Sequence, residues 1–201
     1  MARRIYIFVF ILFIPTTLFG QGGGQQIRPE PAEMDYVSVD TADGTVYLKW
    51  KPSPSDTLDR YIIWEWQPIL EGSPVFVAKQ VGSIDSDTLE FSYPGSNVGV
   101  APTKVSVSAT WTGWDPSPYA DPHTTMHLTI QYDSCAKNME LDWTPYIGWN
   151  SLLAKHEIYV SIDNSNYIKF AETANDSTNC THNNIEDNRR YCYFVKAVRN
   201  D

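Results

Sequence analysis

The sequence predicts an all-β chain built as two β-sandwiches in tandem. Three observations carry that expectation. Short runs alternate apolar and polar residues between clusters of turn formers. The whole pattern recurs about 90 residues further on. No stretch repeats its apolar residues with the 3.6-residue period of a helix. The chain has 201 residues, enough for one large or two small domains. Its 15 Lys and Arg against 24 Asp and Glu leave a net charge of −9. That balance argues against binding a phosphate backbone, whose affinity comes from cations displacing counterions. Aromatics at 13% and charged residues at 19% argue against a disordered chain.

The N-terminus reads as an export signal. Arg3 and Arg4 precede an unbroken apolar run over 5–14, closed by Pro15, and a small-residue exit at Gly20. A charged start, a short apolar core and a small residue at the cut are the parts of a secretory leader. The run is too short for the ~30 Å hydrocarbon core of a bilayer. Residues 1–20 are therefore expected to be removed, with 21–30 a flexible linker. No later apolar run is long enough to span a membrane.

The first sandwich is expected over 31–121. Val46, Leu48 and Trp50 alternate with Tyr47 and Lys49, and Tyr61 and Ile63 share one face of the next strand. Leu89, Phe91 and Tyr93 share a face of a later strand, and Val105, Val107, Ala109 and Trp111 alternate with Ser106, Ser108 and Thr110. Such alternation buries one face and leaves the other solvated. Asp43-Gly44 marks a hairpin between the first two strands, because glycine accepts positive φ. A second sandwich is expected over 122–201, with the joint near Asp121-Pro122. Met139-Glu140-Leu141-Asp142-Trp143-Thr144-Pro145 repeats Val46-Tyr47-Leu48-Lys49-Trp50-Lys51-Pro52, and His156-Glu157-Ile158-Tyr159 repeats Tyr61-Ile62-Ile63-Trp64. Tyr193 to Ala197 answers Val105 to Ala109, so the offset is 93 residues at the front and 88 at the back. That period suits one sandwich of about 100 residues.

Leu-x-Trp-x-Pro on the second strand, Tyr-x-Ile on the third and Tyr191-x-Tyr193-x-Val195-x-Ala197 on the sixth resemble fibronectin type III modules. Tyr191 falls where that family keeps its tyrosine corner; the first module has Thr103 there and matches less well. The resemblance implies a ring in the core and a hydroxyl on a nearby backbone group. The stretches Asp133-Ser134-Cys135, Leu141 to Trp149 and Tyr191 to Val198 also resemble the modules preceding the sorting domain of gliding-motility-associated C-terminal-domain proteins. The likeness covers roughly 30–201 without the sorting domain itself. It implies a secreted or surface protein delivered by type IX secretion.

The sixth strand of the second module runs through Val198, three residues before the end of the sequence. A seven-stranded sandwich needs one more strand, so the second module is expected to lack its last strand and the chain to be a fragment. The competing reading is a six-stranded module. Three cysteines in an exported chain leave one without an internal partner. Alternation puts Cys192 on the outer face and Cys180 inward, so a bridge between them would be strained. Cys192 would suit a partner on the missing strand, which leaves Cys135–Cys180 open as a pair.

Little in the sequence points to a reaction. His123 and His127 are about 13 Å apart along a strand, too far to share an ion. His156 sits at a core-facing position, and His182 lies in a polar segment. Asp85-Ser86-Asp87 and Asp163-Asn164-Ser165-Asn166 read as turns more readily than as a calcium loop. Gly95-Ser96-Asn97-Val98-Gly99 lacks the spacing of a nucleophile elbow. No cofactor, catalytic or metal residue is assigned.

The aromatics carry the binding expectation. Ile62, Trp64 and Trp66 line the outer face of the third strand, with Trp111 and Trp114 beyond the end of a neighbouring one. Exposed rings stack on sugars or anchor protein partners; the competing reading is that another segment covers them. Asp40-Thr41, Asp56-Thr57, Asp87-Thr88 and Asp176-Ser177 resemble the short O-glycosylation signal of bacteria with this export system, which implies Thr41, Thr57, Thr88 and Ser177 as acceptors. The leading function is a noncatalytic interaction or spacer segment of an exported surface protein, with a protein or glycan partner. A carbohydrate-binding module, or an accessory domain of a secreted hydrolase, is second.

Overall fold

The computed structural model describes residues 28–70, 72–96 and 98–200; the expected leader and the linker up to residue 27 lie outside the described residues. In chain order the first strands are β1 (Glu33–Val39), β2 (Thr45–Lys51), β3 (Arg60–Pro68), β4 (Phe76–Asp85), β5 (Glu90–Pro94), β6 (Lys104–Thr110) and β7 (His123–Thr124). They form two antiparallel sheets, β1-β2-β5 and β4-β3-β6-β7. The second set is β8 (Leu128–Asp133), β9 (Asn138–Trp143), β10 (Leu153–Ile162), β11 (Ile168–Ala174), β12 (Asn179–Asn183) and β13 (Tyr191–Arg199), in sheets β12-β9-β8 and β11-β10-β13. These are two tandem fibronectin type III/immunoglobulin-like sandwiches. The second repeats the first strand for strand from β1 to β6; among the described residues no strand corresponds to β7. The one helical element among the described residues is a 3₁₀ turn over Asn150–Leu152. The joint expected at Asp121-Pro122 falls just before β7, and β7 pairs with β6 in the first sandwich.

The turn chemistry is local. Gly44 takes φ 75° in the β1–β2 hairpin and donates its N–H to the Asp40 carbonyl. Asp163 and Asn164 both take positive φ between β10 and β11, and Ser165 N–H closes the turn on the Ile162 carbonyl. That is the turn whose twist matches paired strands. The Asp163 carboxylate accepts from the Arg190 N–H and from Arg189 Nε. Its oxygens are thereby used in holding the turn.

The two cores share one device. Trp50 packs edge-on against Tyr61 with ring centroids 5.4 Å apart, and Trp143 packs the same way against His156 at 5.6 Å. Leu48 and Leu141 lie beside them, both fully buried. The repeat read from sequence is thus a repeat of core packing. The partner differs in one respect. Tyr61 accepts the Ser53 N–H on its hydroxyl, whereas neither ring nitrogen of His156 makes a hydrogen bond. Burial pushes the His156 pKa down, opposed by the backbone near Ala174 and Ser177. A neutral imidazole filling a core is the consequence. Tyr191 forms the expected corner, its hydroxyl accepting the Glu186 N–H at 3.0 Å.

Alternation fails on β6. Ser106, Ser108 and Thr110, expected on a solvated face, are as buried as Val105, Val107 and Ala109. The segment 115–120 runs beside them, with Ser117 N–H on the Ala109 carbonyl and Ala120 N–H on the Val107 carbonyl. Ser106 Oγ in turn donates to the Ala120 carbonyl. Pro116, Pro118 and Pro122 remove ladder donors and break this stretch into isolated bonds.

Truncating Trp50 or Trp143 to alanine is expected to cost about 3–5 kcal/mol each, the range for deleting a large buried aromatic. Urea denaturation of the single variants checks this. Equal, small losses at both sites would contradict the shared-core description.

Candidate functional site

The tryptophans expected to form a binding surface divide into two groups. Trp64 lies opposite Ser106 and Trp66 opposite Lys104, both on the outer face of β3 as expected. That face is not open. Tyr119 from the proline-rich segment meets Trp64 and Trp66 edge-on at 5.4 and 5.2 Å, and Lys104 Nζ sits 4.8 Å from the Trp66 ring. Both indole N–H groups are buried without a partner. Trp111 and Trp114 pair with each other at 6.5 Å at the other end of β6. Trp111 lies beyond Thr110, which pairs with Arg60, about 16 Å along the strand from Ser106 at 3.3 Å per residue. The four rings therefore make no single platform. Trp114, 56% exposed, is the one open to solvent.

Between the outward tryptophans, Glu65 points inward and is only 3% exposed. Its Oε1 accepts from Ser96 Oγ and from Gln67 Nε2. Tyr93 faces it, and the Tyr93 hydroxyl is pushed far up by burial first and by Glu65 second. Sequence reasoning missed this buried acid, although the alternation that put Trp64 and Trp66 outside requires Glu65 inside.

The other assigned residues are dispersed. Cys135 lies exposed between β8 and β9, Cys180 is half-buried in β12 and Cys192 half-buried in β13, all three as free thiols. The Cys135–Cys180 bridge is not formed. Cys180 lies opposite Leu141 and Asn183 opposite Asn138, so the turn holding Cys135 is more than three residues away along the sheet, beyond the Cα separation of a disulfide. Thr41 is exposed in the β1–β2 turn and Thr57 is exposed with φ 60°. Thr88 and Ser177 are half-buried, Ser177 donating to the Asn179 carbonyl.

The structure does assemble one polar constellation that the sequence reading left unassigned, at the junction of the sandwiches. The loop after β9 carries Tyr146, Ile147, Gly148 and Trp149 against the first sandwich. The Tyr146 hydroxyl accepts the Val37 N–H at 3.0 Å and lies 2.9 Å from His123 Nδ1. In the tautomer with its proton on Nε2, the imidazole accepts the Tyr146 hydroxyl proton on Nδ1 while that hydroxyl accepts from Val37. Burial holds His123 at about 4, against nearby carboxylates led by Asp35, and burial likewise raises Tyr146. Gly148 passes the imidazole so closely that a Cβ there would lie 2.1 Å from the ring, and it takes φ 134°. Ile147 and Thr124 exchange backbone bonds, joining the loop to β7.

A bulge supplies the other half. Met34 pairs with Trp50 and Tyr36 with Lys49, leaving Asp35 as the extra residue of β1. Its carbonyl accepts Trp149 Nε1 at 2.6 Å, and its carboxylate accepts Arg199 Nη1 at 2.6 Å from the end of β13. The same guanidinium lies 5.5 Å from the Trp149 ring. Tyr146 belongs to the hydrophobic core of the first sandwich, with Trp149 and Ala197 packed against it. A signal for this existed. Tyr146 and Trp149 stand where the first repeat has Ser53 and Asp56, an excess of aromatics that no strand face uses. Beside the joint a recess of about 380 Å³ is lined by Glu33, Met34, Tyr119, Asp121, His123 and Gly148, among others. No group of metal-ligating side chains occurs among the described residues.

No family model matches the chain, and no curated protein does. Among solved structures it is similar to the FN1–FN3 domains of chicken CNTN1, with 13% identity and a TM-score of 0.36 over 85% of this chain. The chain spans 62% of the length of that structure. It is also similar to a two-domain fibronectin type III segment of chicken tenascin, with 14% identity and a TM-score of 0.31 over 87% of this chain and 93% of that one. No helix among the described residues is long and apolar enough to cross a membrane.

Acid is expected to loosen the joint. His123 is neutral when folded and titrates near 6.5 when unfolded, so the unfolded chain binds the extra proton between those values. Stability should therefore fall as the pH drops below about 6.5 and flatten near 4. Melting temperatures from pH 7 to pH 4, compared with His123→Asn, check this: the variant should lose part of the slope. An unchanged slope would mean that His123 is not the group responsible.

Proposed function

We propose that this chain is a noncatalytic spacer or interaction segment of an exported cell-surface protein. The observation that carries the reading is the joint. Polar side chains of the kind that serve reactions (His123, Tyr146, Asp35 and Arg199) are spent on fixing one sandwich against the other. Modules joined by few contacts reorient freely; here hydrogen bonds, an ion pair and a shared core cross the boundary. A spacer that must present its ends in a set direction needs that rigidity. The leader pattern over 1–20, followed by a linker at 21–30, supports export. The pairing of β7 with β6 supports a module boundary after Thr124. The motif resemblance supports type IX secretion and a link to gliding motility. O-glycosylation on Thr41 and Thr57 accords with their exposure.

A carbohydrate-binding reading is second, favoured by the exposure of Trp114 beside Trp111. Trp64 and Trp66 support it less, since Tyr119 covers them. Glycan-array binding by the mature chain that Trp114→Ala abolishes would favour this second reading.

Small-angle scattering tests the leading one. The mature chain should fit a single separation between its two halves, and Trp149→Ala combined with Arg199→Ala should broaden the distribution while both sandwiches stay folded. Gly148→Ala should do the same by clashing with His123. A broad distribution in the unaltered chain, or saturable turnover of a substrate, would overturn the reading.

A further inference from the structure

The first sandwich buries a carboxylate that no cation balances. Alternation along β3 puts Tyr61, Ile63, Glu65 and Gln67 on one face, and the first three are buried. Where the core would take another apolar side chain, β3 supplies an acid. None of the ion pairs among the described residues includes Glu65. Its Oε2 makes no hydrogen bond although it is buried. Burying a carboxylate on those terms is costly, and a group left so in a core calls for an account such as a chemical role.

The other oxygen, Oε1, holds two groups at once. It accepts from Ser96 Oγ and, at 2.9 Å, from Gln67 Nε2. Those two groups also touch each other, with Gln67 Nε2 3.1 Å from Ser96 Oγ. The carboxamide carbon Cδ is one covalent bond from that nitrogen, so a hydroxyl, a carboxylate and a carboxamide meet at one point. Separate parts of the fold bring them there. Glu65 and Gln67 share a face because they stand two apart on β3. Ser96 follows β5, in the opposite sheet, on a turn that Gly95 fixes. The Gly95 N–H donates to the Gly44 carbonyl at 3.0 Å, and a Cβ there would lie 2.4 Å from Val98 Cγ1 and 2.7 Å from Val46 Cγ2. Ser96 is exposed, which gives a small leaving group a way out.

We propose that Ser96 and Gln67 join as an intramolecular ester, with Glu65 as the catalytic base. Glu65 Oε1 takes the Ser96 hydroxyl proton while Oγ forms a bond to Gln67 Cδ. The same Oε1, already in contact with Nε2, passes that proton to the nitrogen. The Cδ–Nε2 bond breaks and ammonia leaves. Glu65 ends as the carboxylate it began as, and no oxidant, reductant or cofactor is consumed. The geometry meets what such a step requires. The nucleophile is hydrogen-bonded to its base, and the reacting groups stand within the roughly 3–3.5 Å of a near-attack arrangement. One group serves first as base and then as acid to the leaving nitrogen. The product ties β3 to the turn after β5, and so one sheet of the sandwich to the other. Each chain reacts once and on itself, so the inference goes beyond the spacer reading and does not depend on it.

Peptide mapping of the full chain, folded at neutral pH and then denatured and digested with trypsin, tests this. Cleavage after Arg60, Lys79 and Lys104 puts Gln67 in the peptide 61–79 and Ser96 in the peptide 80–104. The two should be recovered as one species, lighter than their sum by one ammonia, with fragmentation placing the link at Gln67 and Ser96. The map decides rather than the intact mass, because an N-terminal glutamine also loses ammonia when it cyclises. Hydroxylamine should separate the linked pair and leave a hydroxamate on Gln67. Ser96→Ala, at an exposed position where folding is not at stake, should give the two peptides separately. Glu65→Gln should do the same while keeping the size of the side chain. Separate, unmodified peptides from the unaltered chain overturn the proposal, as does a link that survives Ser96→Ala. A link formed in Glu65→Gln overturns the role given to Glu65.

Discussion

The arrangement of the two sandwiches depends on one side chain, Tyr146. Its ring is part of the first core although its chain segment leads into the second sandwich. A tyrosine buried this far has to place its hydroxyl on a partner. Here it uses two, the Val37 N–H and the His123 ring. The demands then propagate. His123 must stay neutral to accept, which its burial ensures. Residue 148 must be a glycine because the imidazole stands where a Cβ would be. Asp35 must bulge out of the ladder to free the carbonyl that Trp149 takes. Each is an ordinary interaction worth about 1 kcal/mol net, but none of them forms unless the sandwiches are held at one angle. Their sum is therefore a constraint on orientation more than a reserve of stability.

Much of the fold was legible because alternation and repeat report on the same thing, the core. Leu48 and Trp50, Leu141 and Trp143, and Tyr61 and His156 fall into corresponding buried positions, and Tyr191 closes its corner. What failed to be legible has a common cause. Period-2 patterning says which face a residue is on and nothing about what crosses over it. Ser106 and Ser108 read as solvated because their neighbours Val105 and Val107 are apolar, yet the segment that covers them contains two prolines, Pro116 and Pro118, and reads as a loop. Tyr119, in that segment, turns the expected Trp64 and Trp66 platform into a packed cluster. The joint escaped for the same reason, since Asp35, His123, Tyr146 and Arg199 come from four separate places in the chain.

The cysteines show how register limits chemistry. Three thiols in a chain expected to be exported invite a bridge, and inward and outward alternation narrows the candidates. The sheet pairing then decides, because Cys180 sits opposite Leu141 while Cys135 is in the turn beyond Asn138. Cys192 is on the face opposite Tyr191 and Tyr193, whose rings join the second core. Distance along a strand is the quantity the sequence carries least well when a turn intervenes.

A fixed joint gives meaning to where the remaining exposed features lie. β6 meets β7 and the joint at Lys104, so Trp111 and Trp114, beyond Thr110, stand at the far end of the first sandwich. β13 meets the joint at Arg199, so its Tyr191 end, with the Tyr132–Asp187 bond, stands at the far end of the second. The joint thus holds apart the exposed Trp114 of the first sandwich and the Tyr132–Asp187 end of the second. A flexible linker would let either end meet a partner by diffusion over the volume the linker allows. Hydrogen bonds, an ion pair and a shared core across the joint fix the separation and angle of the two ends instead.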